Sequence, residues 1–204
     1  DQNDLVLTGG YPAELRKLLG LWVEEYDALL PGTANRLLMR PDPAASGGAG
    51  QGDVWAELPA EAGCGLLCGL VRPSGCRTLA VYGDDYYADS PCLTEHRFGR
   101  GLAYQVATHP EASFIGAFVA GLCRRAGIWF PGAGSLPAGV ELARRQKDGR
   151  TWTFVLNHHA RAVKLRTDHL DEAGRTEWRE LISNRVLQGE VELPPRGIAI
   201  LVAP

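Results

Sequence analysis

The hydrophobic period of this chain changes once, near Leu136-Pro137, and that change limits the folds open to it. Before it, Leu15, Leu18, Leu19, Trp22, Val23 and Tyr26 fall at the i, i+3, i+4, i+7, i+8, i+11 spacing of an apolar stripe on an α-helix. Arg16, Lys17, Glu24 and Glu25 occupy the other side. Pro12 suits a first helical turn and Pro31-Gly32 a stop, so the spacing predicts one amphipathic helix between them. A second helix is expected from Thr108, where Thr108-His109-Pro110-Glu111 has the capping-box spacing. Ala112, Phe114, Ile115, Phe118, Val119, Leu122 and Cys123 would form its buried face, with Gly127 past its end. Strands are expected at 54–58, 64–70, 78–82 and 102–107, the last after the turn signal Phe98-Gly99-Arg100-Gly101. Strands alternating with helices predict an α/β layer arrangement.

After Leu136-Pro137 the period is two. Trp152, Phe154 and Leu156 share one strand face, which argues for core; Val163 with Leu165, Val191 with Leu193, and Ile198, Ile200 with Val202 repeat the pattern. Turn signals stand at Lys147-Asp148-Gly149, Asn157-His158-His159 and Pro194-Pro195-Arg196-Gly197. A small antiparallel β-sandwich follows from this, giving domains at 1–136 and 137–204. Residues 41–53 read as a long low-complexity loop.

Charge and cysteine usage narrow the function. The net charge is −3 and no Lys/Arg run occurs, so electrostatic capture of nucleic acid or an anionic membrane is not expected. No run approaches the ~18–20 apolar residues of a membrane span. The five cysteines, Cys64, Cys68, Cys76, Cys92 and Cys123, are odd in number and sit among apolar or glycine neighbours. That pattern reads as buried thiols in a reducing, cytoplasmic compartment rather than a disulfide framework. The chain begins at Asp1 and its only methionine is Met39, as in a piece of a longer protein.

Several residues carry the types that chemistry uses. Glu24 and Glu25 are adjacent carboxylates, but neighbouring helix positions do not face each other, so a solvated face is expected. His109-Pro110-Glu111 resembles the His-x-Glu segment of class I glutamine amidotransferases, in which histidine activates a cysteine on a Gly-x-Cys-x-Gly elbow. None of Cys64, Cys68 and Cys76 has that setting. Cys64-x₃-Cys68 with Cys76 and Cys92 lacks the paired Cys-x₂-Cys spacing of structural zinc. His158-His159 follows a strand and reads as turn. Trp152 sits with Phe154 and Leu156, whereas Trp178 has polar neighbours and is the better candidate for stacking on a sugar.

The segment Gly9-Gly-Tyr-Pro-Ala-Glu-Leu-Arg-Lys-Leu-Leu-Gly-Leu-Trp-Val-Glu-Glu-Tyr-Asp-Ala-Leu-Leu30 resembles the trimerisation domain of glycoside hydrolase family 42 β-galactosidases. So do Val81-Tyr-Gly-Asp-Asp-Tyr-Tyr-Ala-Asp-Ser-Pro-Cys-Leu-Thr94 and Arg97-Phe-Gly-Arg-Gly-Leu-Ala-Tyr104. Phe154-Val-Leu-Asn-His158 and Leu193-Pro-Pro-Arg-Gly-Ile-Ala-Ile-Leu201 resemble the same enzymes' C-terminal β domain. The resemblance implies an α/β trimerisation domain of flavodoxin-like or glutamine-amidotransferase-like build, lacking its first strands, then the β-sandwich. It implies a parent that releases terminal β-galactosyl groups with retention. That chemistry needs two carboxyl groups about 5–5.5 Å apart, held in this family on a (β/α)₈ barrel of about 250 residues. A chain of 204 residues has no room for that barrel. The implied role is therefore non-catalytic assembly: partners are copies of itself in a homotrimer and the parent's barrel, with galactoside a partner only of the full-length enzyme. No catalytic, cofactor-binding or metal-ligating residue is assigned, and no cofactor is expected. An amidotransferase-like enzyme and a carbohydrate-binding module are the alternatives.

Overall fold

The computed structural model describes residues 11–40, 55, 57–130 and 136–203. The Leu5-Val6-Leu7 run, the loop at 41–53 and Val54 lie outside them. The chain divides into two compact units, residues 1–125 and 126–204.

In the first unit, α1 (Leu15–Leu19) gives way at Gly20 to β1 (Leu21–Ala28). The expected helix through Tyr26 is therefore five residues long. Gly20 takes a left-handed conformation (φ 63°, ψ 35°) and closes α1 by donating its N–H to Arg16 O. Beyond it Leu21 and Val23 are buried while Glu24 is exposed, and the aromatic and β-branched residues Trp22, Val23 and Tyr26 suit a pleated surface. Strand pairing with a distant segment thus overrides the helical spacing.

The remaining strands are β2 (Asn35–Met39), β3 (Glu61–Pro73), β4 (Arg77–Tyr82), β5 (Pro91–Phe98), β6 (Gly101–Val106) and β7 (Thr108–Pro110). They form one sheet in the order β1-β3-β2-β4-β5-β6. β6 pairs β5, while β7, just beyond it in the chain, pairs β3, so the pairing path returns on itself. Trp55 and Glu57 lie in turns rather than in the strand expected at 54–58. β3 contains the expected strand at 64–70, β4 the one at 78–82, and β6 all but the last residue of 102–107.

Every strand pair in this sheet is antiparallel. That corrects the flavodoxin-like α/β expectation for the described residues. Parallel strands need crossovers of about a dozen residues or more, usually helical. Here the turns after β3 and β5 are only a few residues long, and α2 (Ala112–Arg125) follows the last strand of the unit.

The expected capping box is also corrected. Thr108-His109-Pro110 is strand, because a residue before proline is pushed to extended backbone. The helix begins at Ala112, with Glu111 O accepting from Ile115 N (3.2 Å) and Glu111 Oε1 from the Ser113 hydroxyl (2.9 Å). Phe114 and Phe118 point from α2 into a core of Leu37, Cys64, Cys68, Tyr82, Tyr87 and Leu93. Trp55 stacks on Phe118 at 5.2 Å. Val119, expected in that face, is exposed.

The second unit contains β8 (Val140–Lys147), β9 (Arg150–Asn157), β10 (Val163–Arg166), a 3₁₀ turn (Thr167–His169), β11 (Glu177–Glu180), β12 (Arg185–Gln188), β13 (Glu190–Leu193) and β14 (Ile198–Val202). A five-stranded sheet, β12-β11-β14-β9-β8, and the pair β10-β13 are both antiparallel. One core of Val155, Val163, Leu165, Leu170, Trp178, Val191, Leu193, Ala199 and Leu201 draws on both sheets, as a small sandwich requires. The inner face of β9 is the reverse of the one expected. Thr153 and Val155 are fully buried and Asn157 nearly so, while Trp152, Phe154 and Leu156 are half-buried on the other side. β14 follows suit, burying Ala199 and Leu201 instead of Ile198, Ile200 and Val202. Both faces of β14 are apolar, so alternation alone does not choose between them there, whereas β9 turns inward its more polar face, with Thr153 and Asn157.

Candidate functional site

The residue types that chemistry uses are spread through the fold, and several of them help to hold it. Glu24 pairs with Arg72 across β1 and β3, with Arg72 Nε 2.6 Å from Glu24 Oε2, while Glu25 is exposed. His109 stands opposite Gly65 and is exposed. Cys64, one residue along β3 and facing Pro110, is buried. The pleat thus turns the thiol and the imidazole to opposite faces. Burial pushes the Cys64, Cys76 and Cys92 thiols up, away from the thiolate a nucleophile needs. All five cysteines are free thiols. Among the described residues no group of three or more His, Cys, Asp or Glu side chains is arranged to hold a metal ion.

His158 Nε2 lies 3.0 Å from Glu141 Oε2, and His159 Nε2 bonds Ala138 O, so both imidazoles serve the turn after β9. Trp178, the expected sugar platform, is instead core. It is 3% exposed, and its indole N–H donates to Arg175 O (2.9 Å) and Thr167 O (3.2 Å). The polar neighbours in sequence alternate to the opposite strand face.

What sequence reasoning missed is a set of polar knots between residues far apart in the chain. Asn35 Nδ2 donates to Asp84 O (3.0 Å), and its Oδ1 accepts from Arg36 N (2.6 Å) and Asp84 N (3.0 Å). Arg36 then grips Asp84 bidentately, Nε to Oδ2 and Nη2 to Oδ1, both at 2.8 Å. Its guanidinium holds the Asp84 carboxyl below the usual carboxylate range. This knot fixes the loop that carries Tyr86 and Tyr87. Tyr82 donates from its buried hydroxyl to Ala107 O (2.9 Å) and Gly69 O (3.2 Å), tying β4 to β3 and to the β6–β7 junction. Glu95, nearly buried, bridges Arg77 (3.0 Å) and Arg125 (2.5 Å).

Glu180 closes the β11–β12 turn. Its carboxylate accepts from Ile182 N (3.0 Å), Ser183 N (2.5 Å), the Ser183 hydroxyl (2.6 Å) and Ile200 N (3.3 Å). Burial acts to raise its pKa, but these donors outweigh it and the group sits below the usual glutamate value. A depressed folded pKa adds stability above the unfolded value of about 4.3, and that stability is lost as pH falls through the folded value. Glu180→Ala, which orphans three N–H groups, is expected to lower stability by about 2 kcal/mol at pH 7. It should also flatten the acid limb below about pH 4.3. Urea unfolding from pH 7 to pH 3 measures both; equal slopes in variant and parent would contradict the assignment.

These features define a β-rich scaffold whose buried polar groups secure turns and strand junctions. A family model for the β-galactosidase trimerisation domain matches residues 1–129, and one for the β-galactosidase C-terminal domain matches residues 139–203. The chain belongs to the glycoside hydrolase family 42 β-galactosidases, as the part that comprises those two domains. It is 37% identical over 201 residues to β-galactosidase BgaP of Planococcus sp. (strain L4), covering 98% of this chain and 27% of that protein. It is 36% identical over 205 residues to β-galactosidase BglY of Alicyclobacillus acidocaldarius, covering 100% and 27%. Among solved structures, the β-galactosidase from Bacillus circulans sp. alkalophilus superposes with a TM-score of 0.75 at 38% identity, over 100% of this chain and 27% of that one. The enzyme from Rahnella sp. R3 gives 0.70 at 27% identity, over 99% and 26%. The chain thus spans about 27% of the length of the curated relatives it matches.

Proposed function

We propose that this chain is the non-catalytic assembly portion of a β-galactosidase that hydrolyses terminal β-D-galactosyl residues with retention. The observation that carries the reading is the match, end to end, to a trimerisation domain followed by a C-terminal domain. In this reading residues 1–136 build a homotrimer and residues 137–204 form a second domain that supports it. The catalytic barrel is contributed by the remainder of the enzyme. The galactoside substrate is a ligand of the full-length enzyme only. The five free thiols favour a cytoplasmic setting, and among the described residues no helix is long and apolar enough to cross a membrane.

The 204-residue chain, incubated with a nitrophenyl β-galactoside, is expected to give no turnover above buffer. Hydrolysis that saturates with substrate would overturn the reading.

A further inference from the structure

The first unit carries two exposed patches of opposite charge, one at each end of β1. At the end beside Leu21, His96 packs against Gly20 and bonds Leu18 O through Nδ1 at 2.8 Å. The β5–β6 turn that follows His96 therefore projects here. It presents Phe98, 51% exposed, between the exposed Arg97 and Arg100. At the other end, Asp27 accepts from the Tyr87 hydroxyl at 2.8 Å. Tyr86, 72% exposed, packs edge-on against Tyr87 at 4.9 Å. Desolvation pushes the Tyr86 phenol pKa up, and the nearby carboxylates of Glu25, Asp27 and Asp85 act in the same direction. Among the described residues, neither the two arginines nor these three carboxylates have an ion-pair partner.

We propose that these patches are the two halves of one head-to-tail contact between copies of this chain, with Phe98, Arg97 and Arg100 of one copy seated on Tyr86, Glu25 and Asp85 of the next. The inference rests on the self-assembly reading above and assigns a surface to it. The two patches do not meet within one chain, because Leu21 to Asp27 spans about 20 Å of strand. Their complementarity is of charge and of ring chemistry: guanidinium groups sit favourably over tyrosine faces, and an exposed phenylalanine gains by burial among rings. A head-to-tail contact that pairs two different patches closes into a ring when the rotation between copies is right, and a trimer is such a ring. A two-fold dimer would instead bring like charges together unless the patches crossed.

Sedimentation equilibrium of the 204-residue chain, across a range of concentrations, tests this. The parent chain should approach three times the 22.0 kDa of one copy. R97E/R100E and E25K/D85K should each weaken association about 100-fold, since like charges then face each other. The chain carrying all four changes should recover to within about tenfold of the parent. Circular dichroism confirms folding; should a charge-reversed chain fail that check, Phe98→Ala and Tyr86→Ala replace it, each expected to weaken association at least tenfold. A parent that remains monomeric throughout would overturn both this contact and the assembly reading for the chain. A trimer indifferent to the changes, or one that all four together fail to restore, would overturn the contact alone.

Discussion

Gly20→Ala is expected to lower the stability of the first unit by about 3–4 kcal/mol, the sum of two separate penalties. The first is conformational. Gly20 has φ 63°, where a side chain crowds the following carbonyl at about 1–2 kcal/mol. The second is steric. A Cβ there would stand 2.5 Å from His96 Cδ2, 2.7 Å from Cγ and 2.8 Å from Nε2. The ring cannot turn away freely, because its Nδ1 is bonded to Leu18 O at 2.8 Å. Nor can the backbone shift alone, since Gly20 O accepts from Ser74 N (2.8 Å) and Cys76 N (3.1 Å). Urea unfolding should show the loss, and His96→Ala in the same chain should remove the steric part, leaving about 1–2 kcal/mol. A loss below about 1 kcal/mol for Gly20→Ala would show that the left-handed cap is not what ends α1.

Asn157→Asp is nearly isosteric and should still destabilise the second unit by about 4 kcal/mol at neutral pH. The amide is buried, and Nδ2 donates to Arg161 O and Pro194 O, each at 2.8 Å, while Oδ1 accepts from His159 N at 2.9 Å. An aspartate would keep the acceptor and replace the donor by an anion facing two carbonyl oxygens. Burial and those carbonyls raise the folded pKa of the new group above its unfolded value of about 3.9. The penalty is therefore small below pH 4 and grows as pH rises toward the folded pKa. Thermal unfolding at pH 4 and pH 8 reads this directly. A penalty that did not grow between those values would contradict the role given to the amide protons.

Both residues mark where the sequence was legible and where it was not. The α2 core face was readable at Phe114 and Phe118, because a long helix repeats its spacing enough times to be distinctive. Val163 with Leu165 and Val191 with Leu193 were readable because polar residues separate them, leaving one face to bury. Around Gly20 the same reasoning failed. Trp22, Val23 and Tyr26 fit helical and strand periods alike over so short a run, and pairing of β1 with β3 decided between them. On β9 the alternation favours Trp152, Phe154 and Leu156, but Asn157 must turn inward to reach Arg161 O and Pro194 O, which places those three on the other side. Asn35, Glu95 and Glu180 gave no signal at all, since their partners include Asp84, Arg125 and Ile200, far away in the chain. The exposed acidic patch was hidden for a related reason. Tyr86 and Asp85 meet Glu25 and Asp27 only once Asp27 accepts from Tyr87 and the Asn35–Arg36–Asp84 knot sets the loop.

The central claim, that this segment assembles the enzyme and does not carry its chemistry, is tested most directly by light scattering of a full-length β-galactosidase that contains it. The intact enzyme should have the mass of a trimer, and deletion of the segment should reduce it to a single copy. A mass per particle that still corresponds to a trimer after the deletion would contradict the claim.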